Sequence, residues 1–106
     1  MKRFQVYSGS TLVGSSDLEG QDRTMATAFG TFVAADGYAA IKGTVMALED
    51  GDQRQLDLSI RLGDGVALSC DFIHIADHSD EVDVDGIEVS AHGVTHPTVD
   101  QLFSVL

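Results

Sequence analysis

The chain of 106 residues has no tryptophan, one proline and one cysteine, and it lacks any long apolar run. No segment approaches the roughly 18 consecutive apolar residues of a membrane span, and the N-terminal residues lack the apolar core of a secretory signal. The lone cysteine, Cys70, cannot form an internal disulfide, which is typical of a reducing compartment. The sequence therefore predicts a cytoplasmic protein and disfavours membrane or disulfide-stabilised secreted classes.

Basic side chains are also scarce, with six lysines and arginines against 17 aspartates and glutamates, for a formal net charge of -11. They are unevenly placed, because residues 62–106 contain nine acidic side chains and no basic one. Nucleic-acid phosphates and anionic lipids repel such a chain, so neither is an expected partner. The asymmetry instead indicates a basic protein partner, or a cation, met by the C-terminal half.

Motifs that carry well-known chemistries are missing as well. There is no P-loop, no dinucleotide-binding glycine pattern, no CxxC, no HExxH and no GxSxG elbow. Cys70 and His74 would lie about 13 Å apart on one strand, too far for proton transfer. An enzyme is therefore the less favoured class, and no catalytic residue is predicted.

The apolar pattern predicts one globular domain over residues 1–106, since a chain of this length can bury enough surface to fold alone. Strict alternation over residues 55–62 predicts a strand with its leucines and Ile60 on one face. Gly9-Ser10 and Asp85-Gly86 are two-residue hairpin signals. A further strand is expected from residue 27 onward, and in residues 66–75 the even positions through Phe72 are expected to face the core.

Two helices are predicted to pack on this sheet. Within residues 37–48, Tyr38, Ile41, Val45 and Leu48 recur at helical intervals, although Gly43-Thr44-Val45 also suits a strand. At the end of the chain, Pro97 suits a first helical position, and the apolar residues from Val99 to Leu106 form one stripe. The expected class is α+β: a small antiparallel sheet of about five to seven short strands in hairpins, with one central and one short C-terminal helix.

The richest candidate site is the acidic segment around the Asp85-Gly86 turn. A two-residue hairpin there would place Asp83 directly opposite Glu88, with Glu81 nearby. Like charges opposed across strands cost roughly 0.2 to 1 kcal/mol, which a basic partner would relieve. We therefore predict a non-catalytic binding domain whose acidic face, formed by Glu81, Asp83, Asp85 and Glu88, docks a basic protein, with no cofactor.

Two alternatives stay open. The first is a divalent cation held by His78, His92, Asp77 and Asp80, in a structural or hydrolytic site. The histidine pairs four residues apart would chelate only on a helix, so this site requires the loops to bring His78 and His92 together. The second alternative is a homo-oligomer formed through the terminal helix or a sheet edge.

Overall fold

The computed structural model of the protein describes residues 4–22, 24–48, 51–62, 65, 67–77 and 86–95. Within these ranges the backbone forms two four-stranded antiparallel sheets. The strands are β1 (Phe4–Ser8), β2 (Thr11–Ser16), β3 (Gly20–Asp22), β4 (Thr27–Thr31), β5 (Val33–Ala34), β6 (Leu58–Leu62), β7 (Phe72–Asp77) and β8 (Ile87–His92). The first sheet has the order β5-β2-β1-β6 and the second β3-β4-β8-β7, so β6 and β7 are both edge strands.

The predicted N-terminal hairpin is confirmed. β1 and β2 pair antiparallel with Ser8 opposite Thr11, which leaves Gly9 and Ser10 as the turn. Gly9 has a φ of 60°, a left-handed conformation that glycine adopts without steric cost. The register slips by one residue between Val6 and Tyr7, which marks a β-bulge in this hairpin.

The inward faces of the two sheets share one hydrophobic core. Its fully buried members from the strands include Phe4, Val6, Val13, Ile60, Ile75 and Val89. Each side chain of this size contributes about 1.5 to 3 kcal/mol when it is fully removed from water. The core therefore joins the two sheets, and it fixes which face of each strand points inward.

The predicted helix over residues 37–48 is replaced by two short helices. A 3₁₀-helix covers Asp36–Ala40, and an α-helix, α1, covers Lys42–Ala47. Tyr38 and Val45 are buried and Ile41 packs partly against the core, so three of the four predicted apolar positions face it. One continuous central helix is not confirmed, and the predicted C-terminal helix over residues 97–106 lies outside the described residues.

The second sheet corrects the predicted strand pairing. β8 lies between β4 and β7 and pairs with both along its length. The expected hairpin partner of this strand was the segment just before Gly86, but both edges of β8 are taken by other strands. Antiparallel architecture is thus confirmed, whereas one small sheet of five to seven strands is not, since the described ranges form two sheets.

Two strand faces also differ from the prediction. β6 begins only at Leu58, because Asp57 adopts a left-handed conformation with a φ of 50°. In β7 the buried residues include Ile73 and Ile75, whereas Phe72 is 49% exposed. The Asp71 amide donates to the carbonyl of His92, the ladder partner of Phe72, so two residues face one and the alternation is reversed there. No helix within the described ranges is long and apolar enough to cross a membrane.

Candidate functional site

A groove of about 560 Å³ lies where the edge strands of the two sheets approach each other. Its walls are formed by Leu58 and Ser59 of β6 and by Phe72, Ile73 and His74 of β7, together with the residues that precede each strand. This volume is within the range of ligand-binding clefts. Since β6 and β7 each have one strand neighbour among the described residues, backbone groups of both strands face the groove.

The edge of β7 is partly covered by a side chain. Gln53 is buried, and its amide forms two hydrogen bonds with Ile75: Nε2 donates to the carbonyl and Oε1 accepts from the N–H, both at 2.8 Å. The Gln53 amide thus takes the position of a neighbouring strand. Because backbone groups alternate between the two edges of an antiparallel strand, Ile73 also points its N–H and C=O away from β8.

The edge of β6 is partly covered by the backbone of a neighbouring segment. Leu68 donates its N–H to the carbonyl of Ile60 at 2.8 Å, and Ala67 forms an isolated bridge with Arg61. Since Ile60 faces away from β1, alternation turns the backbone groups of Leu58 the same way. Of the outward-facing positions, those that line the groove are therefore Leu58 and Ile73.

The groove carries an excess of negative charge. Asp52, Asp57 and Asp71 line it, with Arg54 as the lining cation. Arg54 is already engaged, since its guanidinium contacts the Asp52 carboxylate at 2.6 Å and holds the pKa of that carboxyl below its usual value. The ion pairs formed between described residues involve neither Asp57 nor Asp71, and both are exposed.

The predicted acidic face is only partly within the described residues. Glu88 is exposed on β8, where its ladder neighbours are Thr31 of β4 and Ala76 of β7. The predicted pairing of Glu88 with Asp83 is therefore wrong. Glu81, Asp83 and Asp85 themselves lie outside the described residues.

Two of the four predicted metal ligands, Asp77 and His92, lie within the described residues, and the structure does not bring them together. Asp77 is 3% exposed on the inward face of β7, whereas His92 lies on the outward face of β8 and is the ladder partner of Phe72. Five residues separate Asp77 from Phe72 along β7, or about 17 Å. His78 and Asp80 lie outside the described residues. Within the described ranges, no three histidine, cysteine or acidic side chains are close enough to hold a metal ion.

Asp77 belongs instead to a buried polar cluster. The Tyr38 hydroxyl donates to its Oδ2 at 2.5 Å, and Lys42 of α1 lies 3.5 Å from the same oxygen. Burial, with the hydrogen bond to Asp77 and its charge, raises the pKa of Tyr38. The tyrosine remains a donor at neutral pH, and the cluster ties the helical segment to β7.

The outward face of the second sheet carries a histidine cluster. His92 stacks on Phe72 with ring centroids 4.4 Å apart, and its Nε2 is 2.9 Å from Ser90 Oγ. Partial burial, and the nearby His74, lower the pKa of His92. A serine beside a neutral histidine can form a nucleophile and base, but no described carboxylate forms a hydrogen bond that would orient the imidazole.

Cys70 also lines the groove, and its environment suppresses thiolate chemistry. Burial, and then the charge of Asp71, raise the pKa of its thiol. Reactive cysteines have a lowered pKa, because the thiolate is the nucleophile. Cys70 is therefore suited to packing rather than catalysis.

Sequence reasoning missed the residues that define the groove. Asp57 and Asp71 each precede a strand, and only tertiary contacts bring them to one cleft. Gln53 is one of several polar residues in a turn, and nothing in its neighbourhood distinguishes it. Comparison of the chain with known protein families, curated proteins and solved structures gives no match. Function must therefore be inferred from the geometry of the chain itself.

Proposed function

We propose that the protein is a non-catalytic binding domain whose groove between β6 and β7 receives a basic segment of a partner protein. The observation that carries the proposal is a cleft of about 560 Å³ lined by Asp57 and Asp71, with its one lining arginine already paired to Asp52. Lysine or arginine side chains entering the cleft would find exposed carboxylates that are not engaged in the ion pairs formed between described residues.

Charge also supports a basic partner over other classes. With a net charge of -11, the chain attracts cationic proteins over a range set by the Debye length, about 8 Å at physiological ionic strength. Glu88, and the predicted face residues Glu81, Asp83 and Asp85, would add to this attraction. The lone cysteine supports a reducing compartment such as the cytoplasm as the place of the interaction. A cation site is not proposed, because Asp77 and His92 lie on opposite faces of the second sheet.

The test is a calorimetric titration at low salt, in which a short lysine-rich peptide is added to the intact chain and its affinity is measured. The groove variant is Asp57→Asn with Asp71→Asn, since asparagine tolerates the left-handed backbone at position 57. Exposed ion pairs contribute roughly 0.2 to 1 kcal/mol each, so we expect the double variant to bind roughly 2- to 30-fold more weakly.

Two controls separate the groove from general acidity. Asp36→Asn removes an exposed carboxylate outside the groove and should leave the affinity within about twofold of the original, since remote exposed charges are screened. Glu88→Gln tests the acidic face predicted from the sequence. If Asp36→Asn weakens binding as much as the groove variant, or if the peptide does not bind at all, the groove is not the site.

A further inference from the structure

We propose, on the basis of the function proposed above, that the basic segment binds as an added β-strand hydrogen-bonded to Ile73 on the open edge of β7. An extended peptide that extends a sheet gains affinity from main-chain hydrogen bonds and specificity from alternate side chains. On the edge of β7, the position that could pair with such a strand is Ile73, which lines the groove.

The covered positions show where a strand can add. Gln53 bonds both backbone groups of Ile75 with the geometry of a paired strand, so this edge already accepts a strand-like partner. Ile73 is the next residue whose backbone faces the same way. Its N–H and C=O have no backbone hydrogen-bond partner among the described residues outside the ladders. Proteins usually cover or charge such edges, and at β7 the covering side chain of Gln53 stops one outward-facing residue short of Ile73.

The opposite wall suits the same occupant. Leu58 of β6 turns its backbone groups into the groove, and Leu68 blocks the β6 edge at Ile60. A strand seated against Ile73 is thus bounded by Gln53 along β7 and by Leu68 along β6. Apolar Leu58 and Phe72 line the cleft together with the aspartates. A segment that alternates basic and apolar side chains matches this mixture.

Charge identifies the occupant as a basic partner rather than a second copy. Two copies of this chain would bring together two molecules of net charge -11, and each would present Asp57 and Asp71 to the other. Such like-charge contact opposes edge-to-edge association. A strand that carries lysine or arginine at alternate positions is attracted to the same carboxylates.

The experiment compares three peptides of identical side chains and charge with the intact chain by calorimetry. The parent peptide alternates lysine and valine. One derivative carries a methyl group on the backbone nitrogen of every lysine, and the other carries it on the backbone nitrogen of every valine. Alternate N–H groups of a strand point to opposite edges, so only one derivative loses its bonds to β7. We expect that derivative to bind about tenfold more weakly and the other to match the parent.

The outcomes separate this inference from the proposed function. Equal affinity of all three peptides, or an equal loss from both derivatives, would overturn strand addition and leave the basic-segment function standing. Failure of the parent to bind would overturn both. A dimer in sedimentation that the parent peptide does not dissociate would assign the edge to a second copy and also overturn the inference. Slower hydrogen exchange of the Ile73 amide with the parent bound would support it.

Discussion

Replacing Gln53 by alanine should destabilise the protein far more than the loss of a surface amide would. Gln53 is 4% exposed, and its side chain bonds both the N–H and the C=O of Ile75 at 2.8 Å. Ile75 itself is fully buried at the centre of β7. Truncation at position 53 would therefore leave two backbone groups without partners beside the core.

The expected magnitude follows from those two bonds. A typical intramolecular hydrogen bond contributes about 0.5 to 1.5 kcal/mol net, and each buried group left unsatisfied costs about 1 to 3 kcal/mol. Water reaching the opened edge would recover part of this loss. We expect the free energy of unfolding to fall by about 2 to 3 kcal/mol, which lowers Tm by about 10 °C in a domain of this size.

Urea unfolding monitored by circular dichroism measures this loss, with Gln55→Ala as the matched control. Gln55 is exposed in the 3₁₀-helix Arg54–Leu56, which Gln53 immediately precedes, so its truncation should change stability by less than about 0.5 kcal/mol. Hydrogen exchange should show selective loss of protection at the Ile75 amide. Equal stability of the two variants would refute the assigned role of Gln53.

Three further predictions concern the fold and the histidine cluster. Tyr38→Phe removes the hydrogen bond to the buried Asp77 carboxylate and should cost about 1.5 to 3 kcal/mol in urea unfolding. The control is Tyr7→Phe, which keeps the aromatic ring in contact with the Arg61 guanidinium and should change stability little. Because the native pKa of His92 is lowered below its ordinary 6.5, the native state binds fewer protons than the unfolded state just below that pH. Stability should therefore fall on acidification from pH 7 through this range, and a His92→Gln variant should lose that part of the pH dependence. Gly43→Ala should stabilise the protein by up to about 1 kcal/mol and raise Tm slightly, because nothing lies within 4 Å of the added methyl group. An unchanged or lower Tm would contradict this.

Local signals predicted the parts of the fold that depend on neighbours in sequence. The Gly9-Ser10 turn is visible because few residues adopt the left-handed conformation that a tight hairpin requires. The alternation around Ile60 reflects a strand with one buried face, and it yields the correct inward side chain. The helical spacing of Tyr38 and Val45 likewise identifies two buried residues, even though the helix is broken between them.

The pairing of β8 was not predictable by such signals. Asp85-Gly86 favours a local hairpin, yet β8 pairs with β4 and β7, more than fifty and about fifteen residues earlier in the chain. Long-range pairings are selected by the whole core rather than by a turn. The reversed face of Phe72 has the same kind of origin, because the bulge at Asp71 exists only in relation to His92 on the neighbouring strand.

The residues of the candidate groove were not predicted, although an acidic binding surface was. An excess of acid in the second half of the chain pointed to a basic partner, whereas the groove combines Asp71 from that half with Asp57 from the first half. The number of acidic and basic residues in a chain predicts its long-range attraction to oppositely charged partners. It carries no information about which carboxylates the two sheets bring to one cleft.

The uncovered edge of β7 and the acidic lining of the groove act together in the proposed binding mode. An open strand edge can pair with any extended chain, so a protein that uses one must prevent pairing with its own copies. Here Gln53 covers Ile75 and Leu68 covers Ile60, and like charges in the acidic lining are expected to oppose pairing with a second copy of the chain. Among the described residues, Ile73 is the outward-facing position of β7 that lines the groove and that neither Gln53 nor Leu68 covers, and it is where we propose that a cationic strand binds. Gln53→Ala should therefore extend the uncovered edge by one outward-facing residue, and the variant should bind the lysine-valine peptide more tightly although it is less stable.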